Sequence, residues 1–204
     1  MDAMQAARNL ELIRTLMERT TQYQLLTARA GLAAGTLAGL GALAFTMLDQ
    51  NDPWQFGTIW AGVFAGSLVA TCMGTVVRSQ ERGEPIWSRQ ARAVLLALSP
   101  ALFTALVLSS FFFARGGGQH LWLPGIWMLC YGQGALATAA YAPAPIRSLG
   151  VTVLLLGALT LWLGPAWAVV MMGLIFGVGH IGLGAALLVA ERRQPGLRLH
   201  RSVA

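Results

Sequence analysis

This sequence predicts an all-α, polytopic membrane protein: a bundle of six transmembrane helices preceded by an N-terminal amphipathic cytoplasmic helix. Three observations carry that reading. The chain holds too little charge for a water-soluble domain, it contains six apolar stretches close to bilayer length, and its arginines fall almost wholly on one side. Of its 204 residues, 56% are hydrophobic and 11% charged, with a mean hydropathy of +0.61. A soluble domain carries about 25% charged residues. All 14 basic residues are arginine, and the sequence pI is about 10.6. A basic chain invites nucleic acid as a partner, but these arginines flank apolar segments, where a membrane collects positive charge on its cytoplasmic face. The lipid bilayer, not nucleic acid, is the expected partner.

Residues 1–24 are polar and lack the compact apolar core of a cleavable signal peptide, so the first span is expected to direct insertion. Met4, Leu10, Ile13, Leu16 and Met17 recur at helical spacing, while Arg8, Glu11, Thr15, Glu18 and Gln22 fall mostly on other faces. At about 1.5 Å per residue the helix extends roughly 30 Å. Two readings stand: it lies flat on the inner leaflet with its apolar face down, or it projects and docks a partner through that face.

A helix needs about 20 apolar residues to cross the hydrocarbon core. Six segments approach this, at 25–48, 53–77, 93–114, 121–140, 146–163 and 165–190, inside a transmembrane domain spanning 25–190. Asp52-Pro53 reads as an N-cap followed by proline at the first helical position. Glu84-Pro85 opens a short interfacial stretch. The glycines after Arg115 break the chain between spans three and four. Ala142-Pro143-Ala144-Pro145 cannot continue a helix, because proline lacks the N–H and clashes with the preceding turn. Gly164-Pro165 predicts a tight turn. Pro100 and Pro124 are expected to kink spans three and four.

With the N-terminus inside, all but Arg115 of the 14 arginines lie in cytoplasmic segments, which predicts both termini in the cytoplasm, and the short loops and compact size point to a bacterial inner membrane. Trp54, Trp122, Trp162 and Trp167 cluster at the outer boundary and Trp87 near the inner one, where an indole keeps one edge wet. Residues 191–204 form a basic cytoplasmic tail.

His180 is the first candidate for chemistry, because ionisable residues inside a bilayer are costly. Gly173, Gly177, His180 and Gly184 recur at i, i+4, i+7 and i+11, which predicts that His180 shares a glycine face and looks at another helix. Counting about 1.5 Å per residue, His180 lies roughly 22 Å down span six, Gln133 roughly 18 Å and Tyr131 roughly 15 Å down span four. A ligand-binding or simply packing cluster of Tyr131, Gln133 and His180 is therefore expected if those spans are neighbours. Gly31, Gly35 and Gly39, beside Ala30, Ala34, Ala38 and Ala42, form a small-xxx-small stripe for helix packing on span one. Its partner helix is either internal or on another protein. Arg29, one turn inside span one, is expected to snorkel to inner-leaflet phosphates. Cys72 and Cys130 sit at different depths and read as small buried residues rather than a disulfide or metal site. His120 at the rim and His180 deep inside are too far apart to share one haem. No cofactor is expected.

Six spans, with both ends inside and a Gly-flanked His180 in the last, are similar to rhomboid proteases. That resemblance would imply a Gly-x-Ser-Gly nucleophile in span four, where this chain has Gly132-Gln133-Gly134 and no serine. The long loop after span one is also missing, so proteolysis does not follow. The Ala30, Ala34, Ala38 face is similar to that of the vitamin-binding subunit of energy-coupling-factor transporters. No family is assigned. The sequence carries no nucleophile paired with a base, no carboxylate pair and no ligand cluster. The expected function is therefore a non-catalytic membrane module, an accessory, assembly or regulatory subunit acting through helix faces on a membrane-protein partner or a second copy. The alternative is a small-molecule carrier or substrate-binding transporter subunit with its site near His180.

Overall fold

The structure is a computed structural model that describes residues 5, 27–142 and 144–192. The amphipathic helix predicted over 1–24, Gln5 apart, and the tail beyond Arg192 lie outside the described residues. From Thr27 on, the described residues form seven α-helices: α1 (Ala28–Thr46), α2 (Pro53–Arg82), α3 (Arg89–Arg115), α4 (Leu123–Ala137), α5 (Ala144–Leu163), α6 (Pro165–Met172) and α7 (Gly179–Arg192). A 3₁₀ turn, Gln119–Trp122, precedes α4, and a π-helical segment, Gly173–Val178, joins α6 to α7 in one continuous rod. No strand occurs among the described residues. Among the described residues, five helices are long and apolar enough to cross a membrane: α1, α2, α3, α5 and the rod Pro165–Val189. By length and composition this is a helical membrane protein.

Local chemistry explains the boundaries. Asp52 Oδ1 accepts from Trp54 N at 2.8 Å and Gln55 N at 3.4 Å, which caps α2 ahead of Pro53. The helix then runs past the apolar stretch to Arg82. Gly83 ends it with φ +65°, a left-handed turn that lets its own N–H and that of Glu84 return to the Ser79 carbonyl. Ser88 Oγ accepts from Ala91 N at 3.1 Å and starts α3 four residues earlier than the apolar pattern alone placed it. Pro100 stays inside α3 without ending it. Gly164, at φ +81°, makes the turn before Pro165.

The fourth segment departs most from the expectation of a plain span over 121–140. Its α-helix has 15 residues, or about 22 Å at ~1.5 Å per residue. It ends in successive turns over 138–141, where Thr138 Oγ1 donates back to the Ala135 carbonyl at 2.9 Å. The 3₁₀ turn extends the segment at its other end.

Packing is antiparallel between chain neighbours. α2 lies along α1, α3 along α4, and α4 along α5, while the Pro165–Val189 rod fits between α1 and the α4–α5 pair. α2 and α3 are consecutive yet pack on different partners. They meet at the Asp52 end, where a β-carbon at Gly57 would touch the ring of Phe113 at 3.2 Å. Two buried clusters fill the bundle. One is aromatic and sits near the Asp52 end around Phe45, Phe56, Trp60 and Leu123. The other joins α4, α5 and the rod through Met128, Val153, Ile175 and Leu183. Trp54, Trp87 and Trp162 are exposed at the helix ends.

The glycine stripe of α1 closes on the rod. A β-carbon at Gly35 would stand 2.6 Å from the Gly177 carbonyl and the Ile181 amide, and one at Gly184 2.7 Å from Leu32 N. A β-carbon at Gly173 would meet Ala42 at 2.9 Å, and one at Gly177 would meet Gly39 at 3.3 Å. Gly31 faces Gly184. Gly39 itself faces open space and serves as the floor for Gly177. Of the two partners weighed for this stripe, the structure provides the internal one.

Candidate functional site

Tyr131 and His180 meet. Tyr131 lies on the face of α4 turned toward the rod, and His180 occupies the first turn of α7, immediately after the π segment. Tyr131 Oη and His180 Nε2 are 2.7 Å apart. Phe176, one turn before His180, stacks on the imidazole with centroids 5.9 Å apart and meets the Tyr131 ring edge-on at 5.4 Å. Both polar residues are half-buried. The imidazole Nδ1 is buried and has no hydrogen-bond partner among the described residues. Which of Nε2 and the Tyr131 hydroxyl donates follows the imidazole tautomer.

His180 lies four residues before Gly184 in the same α-helix, about 40° round from it at ~100° per residue, so it sits at the edge of the stripe. Its carbonyl oxygen would lie 3.4 Å from a β-carbon at Gly31, while its ring goes to α4. The expectation that His180 shares the glycine face is corrected in this way.

Gln133 does not join the cluster. It is exposed, because two residues on a helix turn the side chain through about 200° from Tyr131. Cys130 is buried and Cys72 exposed, both free thiols, so the burial expected of Cys72 is also corrected. Among the described residues, α2 presents position 72 on an exposed flank. Arg29 is exposed at the second position of α1.

His120 is 2% exposed. It packs on Phe56 and Phe113 with Nε2 3.3 Å from the Gln50 carbonyl. It belongs to the aromatic cluster and ties the 3₁₀ turn to the α1–α2 connection. Among the described residues no three His, Cys, Asp or Glu side chains gather as a metal site. The sequence reading missed two features. Phe176 was legible as the residue one helical turn before His180. The Trp127 Nε1 donation to Ser109 Oγ at 2.7 Å, which fastens α3 to α4, had no local signal.

The pair is a hydrogen bond between α4 and the rod, packed against the Phe176 ring. It suits a fastener, a proton relay or a ligand contact. No protein-family model, no curated protein and no solved structure matches this chain.

Proposed function

We propose that this chain is a non-catalytic module of a bacterial inner membrane, crossing six times with both termini in the cytoplasm. It acts as an accessory, assembly or regulatory subunit through helix contacts. One observation carries the functional part: α3 has no buried residue in its 27 positions, whereas α1 buries seven of 19. Two of the three residues α2 buries lie near its start. Flanks as bare as those of α2 and α3 suit a protein partner in the bilayer.

The fourth crossing is supported by the pairing of α4. Gly134 meets Leu98 and Trp127 meets Ser109 on α3, while Gly132 meets Leu154 and Gly125 meets Leu161 on α5. This short helix carries the chain from one end of the bundle to the other between two full-length neighbours. Arg78, Arg82, Arg89, Arg92 and Arg147 then share one end, with Arg115 at the other, which speaks for the cytoplasmic placement of the former.

A second reading, a small-molecule carrier, draws on the unpartnered Nδ1 of His180 beside a π segment, a feature frequent at functional sites. Native mass spectrometry of the gently extracted protein separates the two. A stoichiometric protein partner, or a second copy, is the result expected of a module. A lone chain carrying a small molecule that is lost in His180→Ala overturns the module and favours the carrier.

A further inference from the structure

One face of α4 is turned away from α3, α5 and the rod. Ile126, Gln133 and Ala137 line it at i, i+7 and i+11, and Gln133 and Ala137 are exposed. Gln133 makes no hydrogen bond among the described residues. Its depth follows from its neighbours. Gly132 packs on Leu154 of α5 and Gly134 on Leu98 of α3. Leu98 and Leu154 lie six and seven residues past Arg92 and Arg147, about 9 Å and about 10 Å at ~1.5 Å per residue, against a hydrocarbon core of about 30 Å. The amide therefore sits inside the apolar layer, about a third of the way across from the arginine end. An amide left without a partner in hydrocarbon is costly.

We propose that Gln133 is the centre of a two-fold interface in which α4 of one chain packs against α4 of a second copy. The inference rests on the membrane-module reading and names its partner. A primary amide carries both donor and acceptor, so two of them complete each other across a two-fold axis. Copies inserted in the same orientation are related by an axis along the membrane normal. Gln133 of each therefore lies at the same depth as its mate, which no unrelated helix guarantees. Such an interface is closed and self-complementary. A single polar residue in an otherwise apolar seam also fixes register.

The test uses full-length chain in native membranes. Cys72→Ser and Cys130→Ala remove the native thiols, and Ala137→Cys supplies a probe one turn from Gln133. Oxidation is expected to give disulfide-linked dimers, and adding Gln133→Leu to deplete them. In lipid vesicles, energy transfer between labelled chains is expected to show a dimer dissociation constant raised about 10-fold by Gln133→Leu. Gln133→Asn, which keeps the amide, should retain most of the association. Because Gln133 faces outward, the thermal midpoint of the monomer should not move with Gln133→Leu. Absence of dimers, or dimers indifferent to Gln133→Leu, overturns the proposal. A different membrane protein bound equally by wild type and Gln133→Leu overturns the homodimer but leaves the module reading intact. A monomer holding only a small molecule overturns both.

Discussion

The seam between α1 and the Pro165–Val189 rod and the flank formed by α2 and α3 use the same small residues to opposite ends. In the seam, Gly31, Gly35, Gly177 and Gly184 bring backbone against backbone, and seven of the 19 residues of α1 are buried. On the flank, Gly62 of α2 has nothing within 4 Å of where its β-carbon would stand. Lipid chains are as apolar as leucine, so burial alone does not hold helices together in a bilayer. Close van der Waals fit and interhelical hydrogen bonds do. Small residues therefore mark where a helix can approach, while the neighbour decides whether it does.

The largest effect is expected at the seam. Gly35→Leu puts a branched side chain where even a β-carbon lies 2.6 Å from the Gly177 carbonyl and the Ile181 amide. Backbone cannot step aside as a flexible side chain can. The two helices must separate along their length, at a cost of about 3 kcal/mol or more. The expected outcome is loss of the folded monomer, read as aggregation on size exclusion and a collapsed thermal midpoint in detergent. A folded, monodisperse Gly35→Leu protein would show that the seam opens without harm.

Gly132→Ala tests a second close contact, between α4 and α5. The added methyl would lie 2.8 Å from Leu154 N and 2.9 Å from its Cα. A single methyl forces a smaller shift than leucine, so a loss of about 1–3 kcal/mol is expected, seen as a lower midpoint in a protein that still folds. An unchanged midpoint would mean that α4 slides freely on α5.

Much of this arrangement was legible in the sequence, and the limits are physical. Caps are local, so Asp52-Pro53 and the Gly164-Pro165 turn could be read directly. Spacing along one helix is also local, so the α1 stripe was visible, but its partner lies more than a hundred residues away in sequence. Depth counting brought Tyr131 and His180 toward the same level. The remaining difference of about 7 Å between their counts is absorbed where helices tilt and where the 3₁₀ turn before α4 rises about 2.0 Å per residue. Depth says nothing about azimuth, which is why Gln133 was grouped with Tyr131 although the two point apart. The π segment had no signal beyond its glycines.

A medium effect is expected where α4 is joined to the rod by a hydrogen bond rather than by fit. Tyr131→Phe removes the hydroxyl facing His180 Nε2 at 2.7 Å, and His180→Phe removes the other partner. Measured as a double-mutant cycle, the coupling should be about 0.6–1.7 kcal/mol, the range found for hydrogen bonds between membrane helices. A coupling near zero would reduce the pair to ring packing with Phe176.

The smallest effect belongs to the flank. Gly62→Leu adds a side chain into space that no described residue occupies. Surface substitutions away from any packed feature change stability by about 0.5 kcal/mol or less, so the thermal midpoint of the isolated protein should barely move. Glycine to leucine is the same change that is expected to destroy the fold at Gly35, and the contrast between the two variants is what separates a closed seam from an open flank. If Gly62→Leu leaves the purified monomer intact but abolishes a complex in native membranes, the open flank of α2 is a contact surface. If the complex survives, α2 faces lipid at that level and the partner docks elsewhere.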